Sequence, residues 1–244
     1  MKTHISDLSP TAYARIAGIL YLIITVAAIV AHFYVPAELL VPGDAAATAE
    51  NILASETLFR WGAVGGELVI LLSEIILSVM LYYLLKPVNQ TLSMIAAVSR
   101  LAMTAVHGLN LLNYYFVLEL LKNDQLQTLF APEQLQGLAG LFLEAHSIGF
   151  VLGIAFLVPH MFSMGILIYQ SGYFPKALGI LFLIAGVGYL IDTVGLLLLP
   201  DYQTTPTLIA MSIAVAEIAF PIWLLVKGVD MEHWQNRTVA MGAA

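Results

Sequence analysis

No cysteine occurs among the 244 residues, which excludes disulfides, thiolate zinc sites, iron–sulfur clusters and a cysteine nucleophile. Any metal centre must therefore rest on histidine and carboxylate. Charge is also scarce. Asp, Glu, Lys and Arg make up 10% of the chain, against roughly 25% in a soluble domain. Nine basic residues face 16 acidic ones, for a formal net charge of −7. No Lys/Arg cluster with interleaved aromatics is present, which argues against nucleic acid as a partner. The soluble-enzyme motifs are missing as well: there is no Gly-Lys-Ser/Thr phosphate loop, no Gly-x-Ser-x-Gly elbow and no His-Glu-x-x-His pair. Gly186-Val-Gly188 is too short for a dinucleotide fingerprint. Glu144-Ala-His146 is weak as a metal motif, because residues two apart on a helix diverge by about 200°.

What the chain has instead is long apolar runs. It is 60% hydrophobic, with a mean hydropathy of +0.90. Counted against the ~20 residues needed to cross ~30 Å of hydrocarbon, the runs fall at Ala14 to Phe33, Gly62 to Leu85, Leu92 to Leu118, Ile148 to Tyr169, Ala177 to Leu199 and Leu208 to Val226. The pattern predicts an all-α integral membrane protein, a bundle of six transmembrane helices. Residues 1–13 form an N-terminal segment, 14–229 the membrane domain and 230–244 a C-terminal tail. The first run is too long for the apolar region of a cleaved signal peptide and reads as a retained span.

Basic residues set the expected orientation. Lys2, Arg15, Lys86, Lys176, Lys227 and Arg237 fall on one side of the six-span scheme. Glu38, Asp44, Glu50, Glu56, Asp124, Glu133 and Asp201 fall on the other, with Lys122 nearly alone among basic residues there. Both termini are thus expected to be cytoplasmic. Tyr34, Trp61, Tyr173, Tyr202 and Trp223 lie towards span ends, where amphipathic rings favour the headgroup region. Two outer connections, Asp44 to Phe59 and Pro132 to Leu143, are rich in helix formers and predict short interfacial helices.

Internal similarity suggests three tandem helical hairpins. Tyr13-Ala-Arg-Ile-Ala-Gly-Ile-Leu-Tyr-Leu-Ile opens the first span, and Phe174-Pro-Lys-Ala-Leu-Gly-Ile-Leu-Phe-Leu-Ile opens the fifth. Ser73-Glu-Ile-Ile in the second matches Ala216-Glu-Ile-Ala in the sixth. Counting back from Lys86 and Lys227, Glu74 and Glu217 lie roughly 15 to 18 Å from the inner ends. His160 has comparable depth in the fourth span.

An ionisable side chain at bilayer depth costs at least ~2.5 to 3.5 kcal/mol, so each one is a site candidate. The ligand-binding candidates are Glu67, Glu74, Arg100, His107, Asn110, His160, Asp192 and Glu217. Those for a metal are His107, His146, His160, Glu74 and Glu217. Arg60, Glu67 and Glu74 are spaced by seven and turn only about 20° per step, as do Arg100, His107 and Tyr114. Facing each other, these stripes pair Arg100 with Glu74 and leave His107 near Glu67. For Asp192 the plain expectation is a buried carboxyl bonded to a neighbouring helix. Pro159 and Pro221 each free a carbonyl one turn earlier, at Ala155 and Glu217. Glu74, His160 and Glu217 are expected to bound one shared cavity, with Arg100 and His107 at its wall.

The Arg15-Ile-Ala-Gly-Ile-Leu-Tyr-Leu-Ile opening, the Arg60 to Glu74 stripe and the Arg100 and His107 pair resemble the bacterial six-span family catalogued as Domain of Unknown Function 4386. The resemblance covers roughly Ala14 to Val229. It implies a bacterial cytoplasmic-membrane location and six-helix topology, and it carries no catalytic set. Two readings follow. In the first, a non-enzymatic protein of the lipid bilayer binds a proton, cation or small polar ligand at mid-membrane, as a transporter, sensor, partner subunit or homo-oligomer. In the second, an intramembrane enzyme holds a zinc-like ion and hydrolyses lipid, with a haem variant using two histidines as axial ligands. The first is favoured because no compact histidine cluster is visible in the sequence.

Overall fold

Apolar runs of this length have one way to satisfy their backbone in hydrocarbon, which is to coil it into helix. The computed structural model describes residues 9–202 and 204–242, and they are helical almost throughout. Lys2, counted above among the basic residues, lies outside them, as do residues 1–8 of the N-terminal segment. Six helices are long and apolar enough to cross a membrane. They are α1 (Pro10–Leu39), α3 (Glu56–Leu85), α4 (Gln90–Lys122), α6 (Pro132–Ser171), α7 (Lys176–Leu198) and α8 (Thr207–Val226). Three shorter ones complete the described set: α2 (Ala45–Ala54), α5 (Asp124–Leu129) and α9 (Met231–Gly242). The chain is an all-α membrane protein.

Polar side chains mark where these helices start. Asp44 Oδ1 accepts from Ala47 N at 2.9 Å to cap α2, and Asn89 Oδ1 accepts from Leu92 N at 3.0 Å at the start of α4. Asn123 caps α5 through Gln125 N and Leu126 N, each cap satisfying amides that the first turn leaves open. Asp230 does the same for α9, and the His233 backbone N–H is the main reason its carboxyl lies below the usual range.

Three features depart from the expected scheme. The separate outer helix expected at Pro132 to Leu143 is instead the first part of α6, which runs unbroken for 40 residues. At 1.5 Å per residue α6 is ~60 Å long, about twice the hydrocarbon thickness. The tail after residue 230 is helical, and α9 is tied down by Trp234 Nε1 donating to Leu84 O at 3.1 Å and Arg237 Nη2 donating to Gln170 O at 2.7 Å. Finally, α1 and α3 each contain a π-helical turn, at Ile29–Tyr34 and Phe59–Val64. Such turns hold one extra residue and shift the phase of every side chain beyond them.

The chain divides into two compact units. The first comprises residues 1–22, 73–104 and 152–244, and the second 23–72 and 105–151. In the first, Phe220 of α8 meets Tyr21, Phe174 and Phe182 edge-on at 5.2 to 6.1 Å. Gly18 and Gly179, which hold the same place in the two matching span openings, both sit at helix crossings. A Cβ on Gly179 would lie 2.6 Å from Tyr169 N and 2.7 Å from Gly165 O, so α6 and α7 meet backbone to backbone. In the second unit, Val35 and Leu39 of α1, Ile52 of α2, Phe59 of α3, Val117, Leu118 and Leu121 of α4 and Ala139 of α6 form the buried core.

Gly179→Ala should therefore destabilise the protein by about 1 to 3 kcal/mol through overpacking. Gly137→Ala, whose added Cβ meets nothing within 4 Å, should be neutral or gain up to ~1 kcal/mol of helix propensity. Thermal unfolding of both variants in detergent checks this, and an unchanged midpoint for Gly179→Ala would contradict the α6–α7 contact.

Candidate functional site

In the first unit the buried charge is Arg100 of α4. Its Nε donates to Glu74 Oε2 and its Nη2 to Glu74 Oε1 at 2.8 Å, the two-pronged geometry that a guanidinium and a carboxylate share. Nη1 donates to His160 Nε2 at 3.1 Å and to Tyr21 Oη at 3.4 Å, with the guanidinium 5.1 Å from the Tyr21 ring centre. The other His160 nitrogen, Nδ1, lies 2.8 Å from Ala96 O. A carbonyl only accepts and a guanidinium only donates. His160 is thus the neutral Nδ1–H tautomer, with both nitrogens committed. Glu74, Arg100 and His160 are 3%, 6% and 1% exposed, so this is a sealed network drawn from α1, α3, α4 and α6.

The second unit holds a different arrangement around Glu67 of α3. His32 Nε2 lies 2.6 Å from Glu67 Oε1, and His146 Nε2 lies 3.9 Å from the same oxygen. Tyr114 stacks on the His146 ring with centroids 3.7 Å apart, and Asn110 Nδ2 donates to His146 O at 2.9 Å. His107 donates through Nε2 to Phe150 O at 3.0 Å and stacks on the Phe150 ring at 4.8 Å, while His32 meets that ring edge-on at 4.9 Å. The local chain explains the close approach. A Cβ on Gly66 would already touch the Ala31 Cβ at 3.0 Å, so α1 and α3 come together where Ala31 precedes His32 and Gly66 precedes Glu67.

Several expected placements are revised. The hydrogen-bonded partner of Glu67 is His32, with His107 within electrostatic reach of the same carboxylate as expected. Glu74 and His160 do meet, joined by Arg100. Glu217 instead accepts from Tyr189 Oη on the exposed side of α8, within electrostatic reach of Arg100 and Tyr21. Asp192 does not bond to a neighbouring helix. Its two oxygens accept from Tyr202 Oη and Thr205 Oγ1, both at 2.9 Å, and so brace the connection between α7 and α8. Desolvation, and then this carboxylate, push the Tyr202 phenol up to about 12, which keeps it a donor. The space beside Gly149 is filled by the Asn110 side chain. Among the described residues no group of three or more histidines and carboxylates is arranged to hold a metal ion. Glu144 is exposed where His146 is buried, as their divergence on the helix requires.

Sequence reasoning missed His32, Tyr21 and Tyr189. His32 was legible in principle as an ionisable group inside the first apolar run. It sits beside Phe33 and Tyr34 at the end of that run, where a polar residue is ordinary. Tyr21 and Tyr189 carry no charge to count.

The family described as Domain of unknown function (DUF4386) matches residues 16–228, a stretch that contains every residue of both clusters. A protein of Archaeoglobus fulgidus described as "Uncharacterized protein" is 31% identical over 163 residues, covering 67% of this chain and 82% of that protein. No solved structure matches.

Removing one partner from a buried ion pair leaves an unmatched charge, a loss of about 3 to 5 kcal/mol. Arg100→Leu should therefore lower the melting temperature or abolish expression, and adding Glu74→Leu should recover much of the loss. Equal damage from the single and double variants would deny the pair a stabilising role.

Proposed function

The chain belongs to the family described as Domain of unknown function (DUF4386), whose description names no reaction, and from its own buried groups we propose that the Glu67 cluster is a proton-binding site in a multi-pass membrane protein that transports or senses. The observation that carries this reading is the 2.6 Å contact between His32 Nε2 and Glu67 Oε1. Two ligands of a tetrahedral zinc ion, with bonds of ~2.0 to 2.2 Å, stand ~3.4 Å apart. A contact of 2.6 Å has room for a proton and no more. Side-chain exposure falls from 22% at His32 to 4% at Glu67 and 8% at His146, so a proton would enter at His32 and be held by the carboxylate, with His146 as the second imidazole. Histidine is suited to the task because its charge changes near neutral pH.

The zinc-hydrolase and haem readings draw less support. His160 has both nitrogens committed, and His107 gives its Nε2 proton to a backbone carbonyl. The Arg100 network fits a structural role, since it matches a guanidinium with a carboxylate, an imidazole and a phenol.

For topology we propose that the end of the chain carrying Lys86, Lys176, Lys227 and Arg237 is cytoplasmic, with both termini there, in a bacterial cytoplasmic membrane. A reporter active only outside the membrane should be silent when fused after Ala244 and active when inserted near Asp44. Activity at Ala244 would reverse this orientation.

The proton site is tested by infrared difference spectroscopy of the protein in lipid between acidic and alkaline buffer. A carboxyl band should disappear in Glu67→Gln and shift in His32→Phe. A band that survives Glu67→Gln, or saturable zinc binding that Glu67→Gln abolishes, would sink the proton reading.

A further inference from the structure

A second feature of the Glu67-containing unit is independent of the proton site. We infer that the groove between the α1–α2 connection and the first part of α6 is a binding site for a lipophilic organic cation, an ammonium-type charge carried on an apolar body. The groove has a volume of about 630 Å³, inside the ~300 to 1,000 Å³ range of small-molecule sites.

The floor of the groove is α6, at Gly137 and Gly140. A Cβ at Gly137 would meet nothing within 4 Å, and one at Gly140 would meet only the Ala45 Cβ at 3.5 Å. The walls are apolar and uncovered: Leu40, Val41 and Leu141 are 37%, 38% and 58% exposed. The rim is held in place before any ligand arrives. Thr48 Oγ1 accepts from Val41 N at 2.9 Å, and Asn51 Nδ2 donates to Leu39 O at 3.3 Å. A preformed site loses less ordering entropy on binding.

Charge selects the occupant. The ionisable residues lining the groove are Asp44 and Glu144, both acidic. Asp44 uses Oδ1 to cap α2, and Glu144 is exposed and joins none of the described ion pairs. The two basic side chains of this unit, Arg60 and Lys122, are both engaged by Glu56. An apolar body against the leucine and valine walls with a cation beside Glu144 satisfies both features. A phospholipid would set its phosphate beside the same two carboxylates, which disfavours it.

Equilibrium dialysis of the full chain in an uncharged detergent, with tetraphenylphosphonium as probe and tetraphenylborate as the anion of similar shape, tests the inference. The cation should bind saturably. Binding should weaken at least tenfold in Glu144→Gln and in Gly137→Leu, which fills the floor where there is open space. Glu67→Gln should bind like the parent, which separates this site from the proton site. Unchanged binding in both groove variants, or equal saturable binding of the anion, would overturn the inference. So would a co-purified phospholipid on native mass spectrometry that is lost in Gly137→Leu and is not displaced by the cation.

Discussion

A guanidinium cannot give up its charge inside a protein, so wherever Arg100 is buried the surrounding helices have to supply its partners. Four helices do so. Glu74 takes two of its N–H groups, and Tyr21 and His160 share a third nitrogen. Desolvating these two charges costs several kcal/mol per ion, which only good geometry offsets. The contact therefore dictates the helix rotations that bring Tyr21, Glu74 and His160 to one point. The neutral tautomer of His160 follows from it in turn.

The Glu67 cluster obeys a looser rule. Carboxylate and imidazole can each exist with or without charge, and their partners need not match in number. His146 stands 3.9 Å from the oxygen that His32 contacts at 2.6 Å, too far for a hydrogen bond. One cluster is closed by a group of fixed charge, and the other is built from groups whose charge can change. That difference in chemistry is why the two receive different roles.

The six spans were legible because hydrocarbon forces apolar composition on any helix that crosses it. The Arg100–Glu74 pair was legible because spacing by seven keeps residues on one stripe of an α-helix, and Glu67 and Glu74 lie beyond the π-helical turn of α3. His32 was hidden by the same turn chemistry: it lies within the π-helical turn Ile29–Tyr34, where counting by 3.6 fails. Asp192 looked like a helix-to-helix contact because its partners, Tyr202 and Thr205, lie in a connection whose path no periodicity describes. Glu217 sits at the expected depth in its span, but depth says nothing about rotation, and its side of α8 is exposed. The continuity of α6 was missed because its first three turns carry Glu133, Gln134 and Gln136, which read as a separate interfacial helix rather than as the start of a span.

The imidazole of His160 gives this protein an internal gauge. One of its nitrogens bears hydrogen and the other a lone pair, each fixed by a different residue of α4. The two differ in nitrogen magnetic resonance, one of pyrrole type and one of pyridine type. Any condition that loosens α4 or α6 would let the ring exchange tautomers and average the pair. A single labelled histidine can thus register the integrity of four helices at once, without a probe being introduced into the chain.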